Sequence, residues 1–317
     1  MTLDGFLQNE KQVSEFVTAL KGRKEIPLKF VYLEAGAYNW DKIIEDRKYG
    51  LGKLENDLLR ESLSGIYRAI GQRKYNLIDI GPGNGKKAVT FVNFFLKRYS
   101  PIYYWALDIS REMLRLTLKN LRPLLGHKVV LDTDIADFEQ GNFSQGSRKL
   151  RQEGYPRNLL FLLGNTIGNP FDRDRVLTNI RESMTLSDYL VIGLELADLT
   201  NIKRIITHYR QPVVKKFILF CLESMGIKSA NGVIEVKFNR KKSQIEMRFR
   251  FKREVRVLFK GEVFCYSRGD CVLLLISYKS DRTKLERLLE KTGFRMRGFY
   301  TNASRSYGLI LCQPKRY

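Results

Sequence analysis

The sequence predicts an α/β protein, a doubly wound seven-stranded core joined to a second, α+β lobe. Three observations carry this expectation. Short apolar runs alternate with helical stripes from Tyr75 to about residue 200, the first run stops at a cluster of glycines, and the pattern changes over 201–277 before returning after Asp281. Regular strand–helix alternation argues for a parallel sheet covered on both faces.

Residues 11–22 carry Val13, Phe16, Val17 and Leu20 at helical spacing, and 54–70 carry Leu54, Leu58, Leu59, Leu63, Ile66, Tyr67 and Ile70. An aromatic stretch, Phe30-Val31-Tyr32, lies between them. Asn76 to Ile80 is the first apolar run and ends at Gly81-Pro82-Gly83-Asn84-Gly85. A helix through Val89, Val92, Phe95 and Leu96 follows, then a second strand from Ile102 to Leu107 ending at Asp108. Ser110 is placed to cap a helix reaching about Leu125. Val129-Val130-Leu131, Leu159 to Leu163 and Tyr189 to Leu194 supply the third, fourth and fifth strands, with a helix around 172–185 before the last.

The region 201–277 opens with a helix through Ile205, Ile206, Phe217, Ile218 and Leu222 and becomes strand-like from Val233. From Ile245 to Phe251 the alternation is strict, with Met247, Phe249 and Phe251 on one face and Arg248, Arg250 and Lys252 on the other. That is the pattern of a half-buried antiparallel sheet. After Asp281 come a helix through Leu285, Leu288 and Leu289 and two strands, Phe294–Tyr300 and Tyr307–Cys312. The expected division is a core of 56–200 plus 278–317 and a lobe of 1–55 plus 201–277, with a cleft between them for a substrate.

Composition narrows the chemistry. With 317 residues, 44% hydrophobic and 28% charged, the chain has ordinary globular content. Its opening, Met1-Thr2-Leu3-Asp4-Gly5, lacks a secretory pattern, and no apolar stretch approaches the roughly 18 residues of a spanning helix. A cytoplasmic protein with no membrane contact is expected. Four scattered cysteines and two histidines, His127 and His208, offer no zinc-ligand spacing and no His-activated nucleophile, so no metal is expected. The net charge of +22 is uneven, since 27 Lys+Arg face only 9 Asp+Glu from Lys203 onward. Such an excess can attract nucleic acid or an acidic partner, or reflect a general basic bias with no partner at all.

The glycine loop is the sharpest signal. Glycines between a strand and a helix permit a tight turn and a close approach of backbone to ligand. Asp108 ends the next strand, 23 residues after Gly85, where an acid accepts hydrogen bonds from ribose hydroxyls. A dinucleotide site favours G-x-G-x-x-G, but Gly85 is followed here by Lys86-Lys87-Ala88. A further acid, Asp137 beside Phe138, follows the third strand and suits an adenine amino group with an aromatic neighbour. Gly81, Gly83, Asp108 and Asp137 together favour S-adenosylmethionine over a nicotinamide dinucleotide.

From about Pro27 onward the chain resembles the histidine Nα-methyltransferases of ergothioneine biosynthesis and their fungal relatives. The resemblance is carried by Phe161-Leu162-Leu163-Gly164-Asn165-Thr166-Ile167-Gly168-Asn169, close to the family's FLGSTIGN run, and by Lys29-Phe30-Val31-Tyr32. It implies a seven-stranded Rossmann-like methyltransferase core with an α+β substrate-binding lobe. It matches Gly81, Gly83, Lys86, Asp108 with its neighbour Ile109, Asp137 and Phe138 to cofactor segments. It matches Tyr32, Tyr49, Asn169 and Tyr209 to the amino-acid site, and Met247 and Ser277 to the substrate side chain. Where the family's histidine enzymes have Glu-x-Ser, this chain has Leu275-Ile276-Ser277. Leucine cannot hydrogen-bond an imidazole, so an apolar or aromatic side chain is expected in place of histidine's.

The implied reaction is methyl transfer to a small-molecule amine by direct displacement, in which positioning can supply roughly 7–11 kcal/mol. Tyr49, Asn169 and Tyr209 are the residues expected to hold the amine, which loses its proton to solvent before attack. A monomer is expected. Two other readings stay open from the sequence, methylation of RNA or protein side chains through the basic last third and a non-catalytic cofactor-binding relative.

Overall fold

The computed structural model describes residues 5–45, 50–124, 126, 128–197 and 202–316. In chain order the first elements are α1 (Glu10–Arg23), α2 (Ala35–Glu45), α3 (Leu51–Ala69), β1 (Asn76–Ile80), α4 (Lys86–Leu96) and β2 (Ile102–Asp108). Then come α5 (Arg111–Leu121), β3 (Val129–Ile135), α6 (Ser144–Glu153), β4 (Asn158–Leu162), α7 (Arg173–Glu182) and β5 (Tyr189–Glu195). The remainder is α8 (Ile202–Tyr209), α9 (Pro212–Ser224), β6 (Gly232–Asn239), β7 (Gln244–Phe251), β8 (Val255–Phe259), β9 (Glu262–Tyr266), β10 (Cys271–Tyr278), α10 (Arg282–Lys291), β11 (Phe294–Thr301) and β12 (Tyr307–Pro314). The chain divides into two compact units, Met1–Ile43 with Leu199–Lys279 and Ile44–Asp198 with Ser280–Tyr317.

The larger unit is a seven-stranded sheet in the order β11-β12-β5-β4-β1-β2-β3. β1 to β5 are mutually parallel, as the strand–helix alternation predicts, while β12 pairs antiparallel with both β5 and β11. Only the loop 302–306 joins β11 to β12. A parallel return needs a crossover of a dozen or more residues, so this pair closes as a hairpin. Asn302 Oδ1 accepts from the backbone N–H groups of Ser306 and Tyr307 and fixes that turn.

β1 is buried along its whole length because both sheet faces are covered. Leu77 packs with Leu59, Leu63, Phe91 and Phe95 of α3 and α4, whereas Ile78 and Ile80 pack with Val176, Ile180, Leu285 and Leu289 of α7 and α10. Phe91 stacks on Phe161 at 4.0 Å between centroids, locking α4 onto β4. Each such buried side chain contributes on the order of 1.5–3 kcal/mol. α5 begins at Ser110, whose Oγ accepts from Met113 N at 3.2 Å, the cap that its sequence position predicts.

The smaller unit holds a three-stranded antiparallel sheet, β10-β7-β6, and a two-stranded ribbon, β8-β9. β7 alternates as expected: Met247, Phe249 and Phe251 are buried while Arg248 and Arg250 face outward. That outward row is paired. Arg250 binds Glu235 across the strand at 2.6 Å and Arg248 binds Glu246 at 3.0 Å. The Arg250 guanidinium is the main reason the Glu235 carboxyl is held down to about 2. Phe6, Phe16, Phe30 and Phe259 meet edge-on or stacked at 5.5 to 6.0 Å between centroids and tie α1 to β8.

Candidate active site

At the carboxyl end of β1 the chain makes three left-handed turns, at Gly81, Gly83 and Gly85. Gly83, with φ of +63°, faces open space where a side chain would stand. Gly85 is needed for a different reason: a Cβ there would lie 2.8 Å from Thr117 Cα. α5 supports the loop from below, with Thr117 Oγ1 donating to Gly83 O at 2.9 Å and Asn120 Nδ2 to Asn84 O at 2.8 Å. Gly81 N donates to Leu107 O at 2.8 Å and stitches the loop to the end of β2. The loop is a braced, open backbone cradle.

Asp108 stands at that strand end, buried, and accepts from Ser110 N at 2.9 Å. Burial pushes its carboxyl up to about 7, with the nearby Asp79 charge adding to the rise and the backbone N–H groups of Ser110, Ile109 and Gly83 opposing it. Asp79, also buried, is raised to about 7 by desolvation although Tyr104 Oη donates to it at 2.9 Å. Ile109 is buried beside Asp108. Phe138 is buried and half-buried Asp137 accepts from Glu139 N at 3.1 Å. A Cβ on Gly81 would sit 3.9 Å from the Phe138 ring and 3.7 Å from Thr166, so the ends of β1, β3 and β4 converge on one spot.

Two lysines open α4, and they part company. Lys86 is exposed, and its backbone N–H is capped by Asn84 Oδ1 at 3.1 Å. Lys87 turns inward, its Nζ 3.1 Å from Glu55 Oε2. Glu55 is buried on α3, accepts from Gly164 N at 2.7 Å and takes the Tyr307 hydroxyl hydrogen. Tyr307 Oη in turn accepts from Asn165 N at 3.2 Å. Asn165 has a left-handed backbone (φ +59°), and its Oδ1 accepts from Glu195 N at 3.1 Å. This network fixes the Gly164-Asn165-Thr166 turn beyond β4, which half-buried Asn169 closes with its N–H on Thr166 O.

Sequence reading passed over Glu55, Lys87 and Tyr307. Glu55 was detectable as an acid three and four residues before Leu58 and Leu59, inside the buried stripe of its own helix.

The residues expected at the amino-acid site fall into separate groups. Tyr49 lies outside the described residues. Tyr32, at the end of a 3-10 turn (Leu28–Tyr32), packs with Trp40 at 5.5 Å and Phe217 at 5.3 Å. Tyr209, the last residue of α8, donates to Ser277 Oγ on β10 at 2.9 Å. Met247 and Leu275 are cross-strand partners, both buried, two residue pairs away from Ile245 and Ser277 on the same sheet face. Sequence reading did not include Lys279, which joins Tyr209 and Ser277.

Among the described residues no group of three or more His, Cys, Asp or Glu could hold a metal ion, and no helix is long and apolar enough to cross a membrane.

A Rossmann-like sheet with a glycine cradle at β1 and a buried acid ending β2 fits an S-adenosylmethionine-dependent methyltransferase. The model of the SAM-dependent histidine-specific methyltransferases matches residues 10–314, and the chain belongs to that family. The N-methyltransferase fsqC of Aspergillus fumigatus is 22% identical over 300 residues, covering 90% of this chain and 78% of that protein. The N-methyltransferase imqF of Aspergillus flavus is 22% identical over 323 residues, covering 94% and 84%. Ergothioneine biosynthesis protein 1 of Schizosaccharomyces pombe is 22% identical over 298 residues, covering 90% of this chain but 38% of that longer protein.

Proposed function

We propose that this enzyme methylates the amino nitrogen of an amino acid or amino-acid-like small molecule other than histidine. The observation that carries the reading is the face formed by Leu275, Met247 and Ser277. Leu275 is buried beside buried Met247, and the family resemblance matches Leu275 to the glutamate that contacts the imidazole in the histidine enzymes. A site that must hydrogen-bond a polar ring discriminates by large factors, and an apolar wall cannot supply that bond. An apolar or aromatic side chain fits such a wall. The smaller unit serves as the acceptor lobe, with Tyr32, Tyr209 and Ser277 as its polar contacts.

The residues present fit the cofactor. Gly83 leaves room for a ligand against the backbone, and Asp108 is a buried carboxylate able to accept from ribose hydroxyls. Gly81, Gly83, Asp108, Ile109, Asp137 and Phe138 would hold it, and Lys87 rather than Lys86 is the lysine turned toward Gly164. When bound, S-adenosylmethionine supplies an electrophilic methyl group for direct displacement. The protein's contribution is positioning: side-chain hydroxyls orient the neutral amine nitrogen, which has released its proton to solvent. No strong general base is required by such a step.

The pairing of Arg248 with Glu246 and of Arg250 with Glu235 weighs against nucleic acid as the substrate, because it offsets two of the charges on that face. The same reading has the enzyme act as a cytoplasmic monomer. Incubation with S-adenosylmethionine and a panel of L-amino acids, followed by mass spectrometry, tests it. Methylation of aromatic or aliphatic amino acids with little or none of L-histidine is expected, and preferential methylation of L-histidine would overturn the substrate assignment.

A further inference from the structure

β11 is an edge strand of the seven-stranded sheet, and its first residues wall a hollow of about 390 Å3. Arg295 and Arg297 of β11, Gln313 of β12, Lys315 and Arg316 beyond it, and Leu186 on the rim surround this space. The volume lies within the ~300–1,000 Å3 of small-molecule sites. Arginine and lysine supply the charged lining, and among the described residues no carboxylate lines it.

Hydrogen bonds hold these walls. Arg295 lies opposite Gln313 across the β11–β12 pair. Arg297 is the extra residue of a β-bulge, and its Nε reaches back to donate to Gln313 Oε1 at 2.9 Å. Bulges re-aim side chains in this way. Gln313 Nε2 in turn donates to Leu186 O at 2.9 Å. Arg181 Nη2 donates to Lys315 O at 2.8 Å and Lys315 N to Gly293 O at 2.8 Å, which fixes the chain as it leaves β12.

Elsewhere in the larger unit cations are matched, Arg282 by Glu286 at 2.9 Å and Arg151 by Asp188 at 2.8 Å. Here Lys315 stands 3.5 Å from Glu290, and among the described residues no carboxylate pairs with Arg295, Arg297 or Arg316. Charges on an edge strand can serve to keep a second sheet away. That purpose requires neither a hollow nor the bonds to Gln313. Neighbouring like charges repel, and a ligand with a single negative charge would leave most of that repulsion in place. Guanidinium forks match phosphate geometry, and a phosphoanhydride concentrates several negative charges in a small volume.

We propose that this hollow binds a compact polyphosphate, the di- or triphosphate group of a nucleotide or of inorganic polyphosphate. Gln313 follows Cys312, the partner of Leu190 near the start of β5, so the hollow stands at the amino ends of the parallel strands. The glycine cradle stands at their carboxyl ends, roughly 20 Å away along the strands by the length of β5. The two sites are distinct, and the polyphosphate site does not depend on the identity of the methyl acceptor.

The test is calorimetric titration of the full chain with inorganic tripolyphosphate and with ATP, in metal-free buffer, with S-adenosylhomocysteine absent and saturating. At about 0.15 M salt, which screens isolated surface charges, each should saturate one site with a Kd below about 100 µM. Equal affinities assign recognition to the phosphates alone, and tighter binding of ATP at saturating S-adenosylhomocysteine adds the Leu186 rim; both support the site. Arg295→Gln and Arg297→Gln should each weaken tripolyphosphate about tenfold or more, the size of one hydrogen bond to a charged group. Arg256→Gln, which alters an exposed arginine on β8 of the smaller unit, should bind as the wild type does. Arg295 and Arg297 are exposed, and unchanged S-adenosylhomocysteine binding in all three variants shows the fold intact.

Absence of saturable binding, full affinity in Arg295→Gln and Arg297→Gln, equal loss in Arg256→Gln, or displacement of tripolyphosphate by S-adenosylhomocysteine overturns the proposal. A single-stranded RNA that binds more tightly than tripolyphosphate and weakens in the same two variants also overturns it, by making this face a track for a nucleic-acid strand.

Discussion

Replacing Asp108 by asparagine removes one charge from the end of β2 and keeps the shape of the side chain. In the ligand-free protein the Asp108 carboxyl is raised to about 7, chiefly by burial. Hydrogen-bond donors favour the ionised form, so ribose hydroxyls arriving at Asp108 draw its pKa back down and expel a proton. Below about pH 7 binding must first deprotonate the group, and by pH 6 roughly one carboxyl in ten is ionised. Affinity for S-adenosylhomocysteine should therefore fall about tenfold between pH 8 and pH 6 and level off above pH 8. A hydrogen bond to a charged group is worth roughly 1.5–3 kcal/mol, so Asp108→Asn should weaken binding about 10- to 150-fold at pH 8. The variant should also lose most of the pH dependence, and since it keeps Asp79, the difference between the two proteins isolates Asp108. Titration calorimetry in buffers of different ionisation enthalpy measures both affinity and the proton released. A variant within threefold of the wild type at pH 8, or a wild-type affinity flat from pH 6 to 8, would refute the reasoning.

Stability provides further checks. For the ligand-free fold the sign is opposite: a carboxyl with raised pKa loses stability as pH climbs from about 4 toward 7, so Asp108→Asn should melt above the wild type by more at pH 8 than at pH 5. Gly85→Ala forces a left-handed backbone on alanine and a contact of 2.8 Å with Thr117 Cα, so its melting temperature should drop by at least about 5 °C, and an unchanged value would show that α5 can yield. Tyr307→Phe removes the hydroxyl that links Glu55 to Asn165 N and should cost about 1–3 kcal/mol in urea denaturation; a neutral outcome would mean that the Glu55 network does not hold the turn after β4. Leu275→Glu restores the family's acid and should raise turnover of L-histidine relative to L-phenylalanine by tenfold or more, on the order of one hydrogen bond to a charged group. No gain would place side-chain recognition elsewhere.

Much of this architecture is written in local patterns. The run Asn76–Ile80 is apolar throughout because helices cover both faces, and its stop at Gly81 marks the cradle directly. Ser110 announces α5 through its cap, and strict alternation announces β7. What escaped notice lacks such a signature. α6 buries only Ser147 among its assigned residues, so it has no apolar stripe to read. The antiparallel pairing of β12 with β11 follows from the short loop between them, which a list of apolar runs does not weigh.

The same limit explains the site. Which of two adjacent lysines turns inward depends on where α4 begins, and one residue of helix is a rotation of about 100°. With Gly85 as the cap, Lys87 rather than Lys86 faces Glu55. Lys279 was passed over because its charge suggests solvent, whereas its place in the strand period puts it on the buried face with Ser277. Composition ranks residues by their average environment; a site is assembled from the exceptions.

Methyl transfer itself is the most direct measurement. Supplied with S-adenosylmethionine carrying an isotopically labelled methyl group and an equimolar mixture of L-amino acids, the purified protein should place the label on the amino nitrogen of a free amino acid, as located by tandem mass spectrometry. Label found only on protein or RNA, or no transfer at all from a donor shown to bind, would contradict this account.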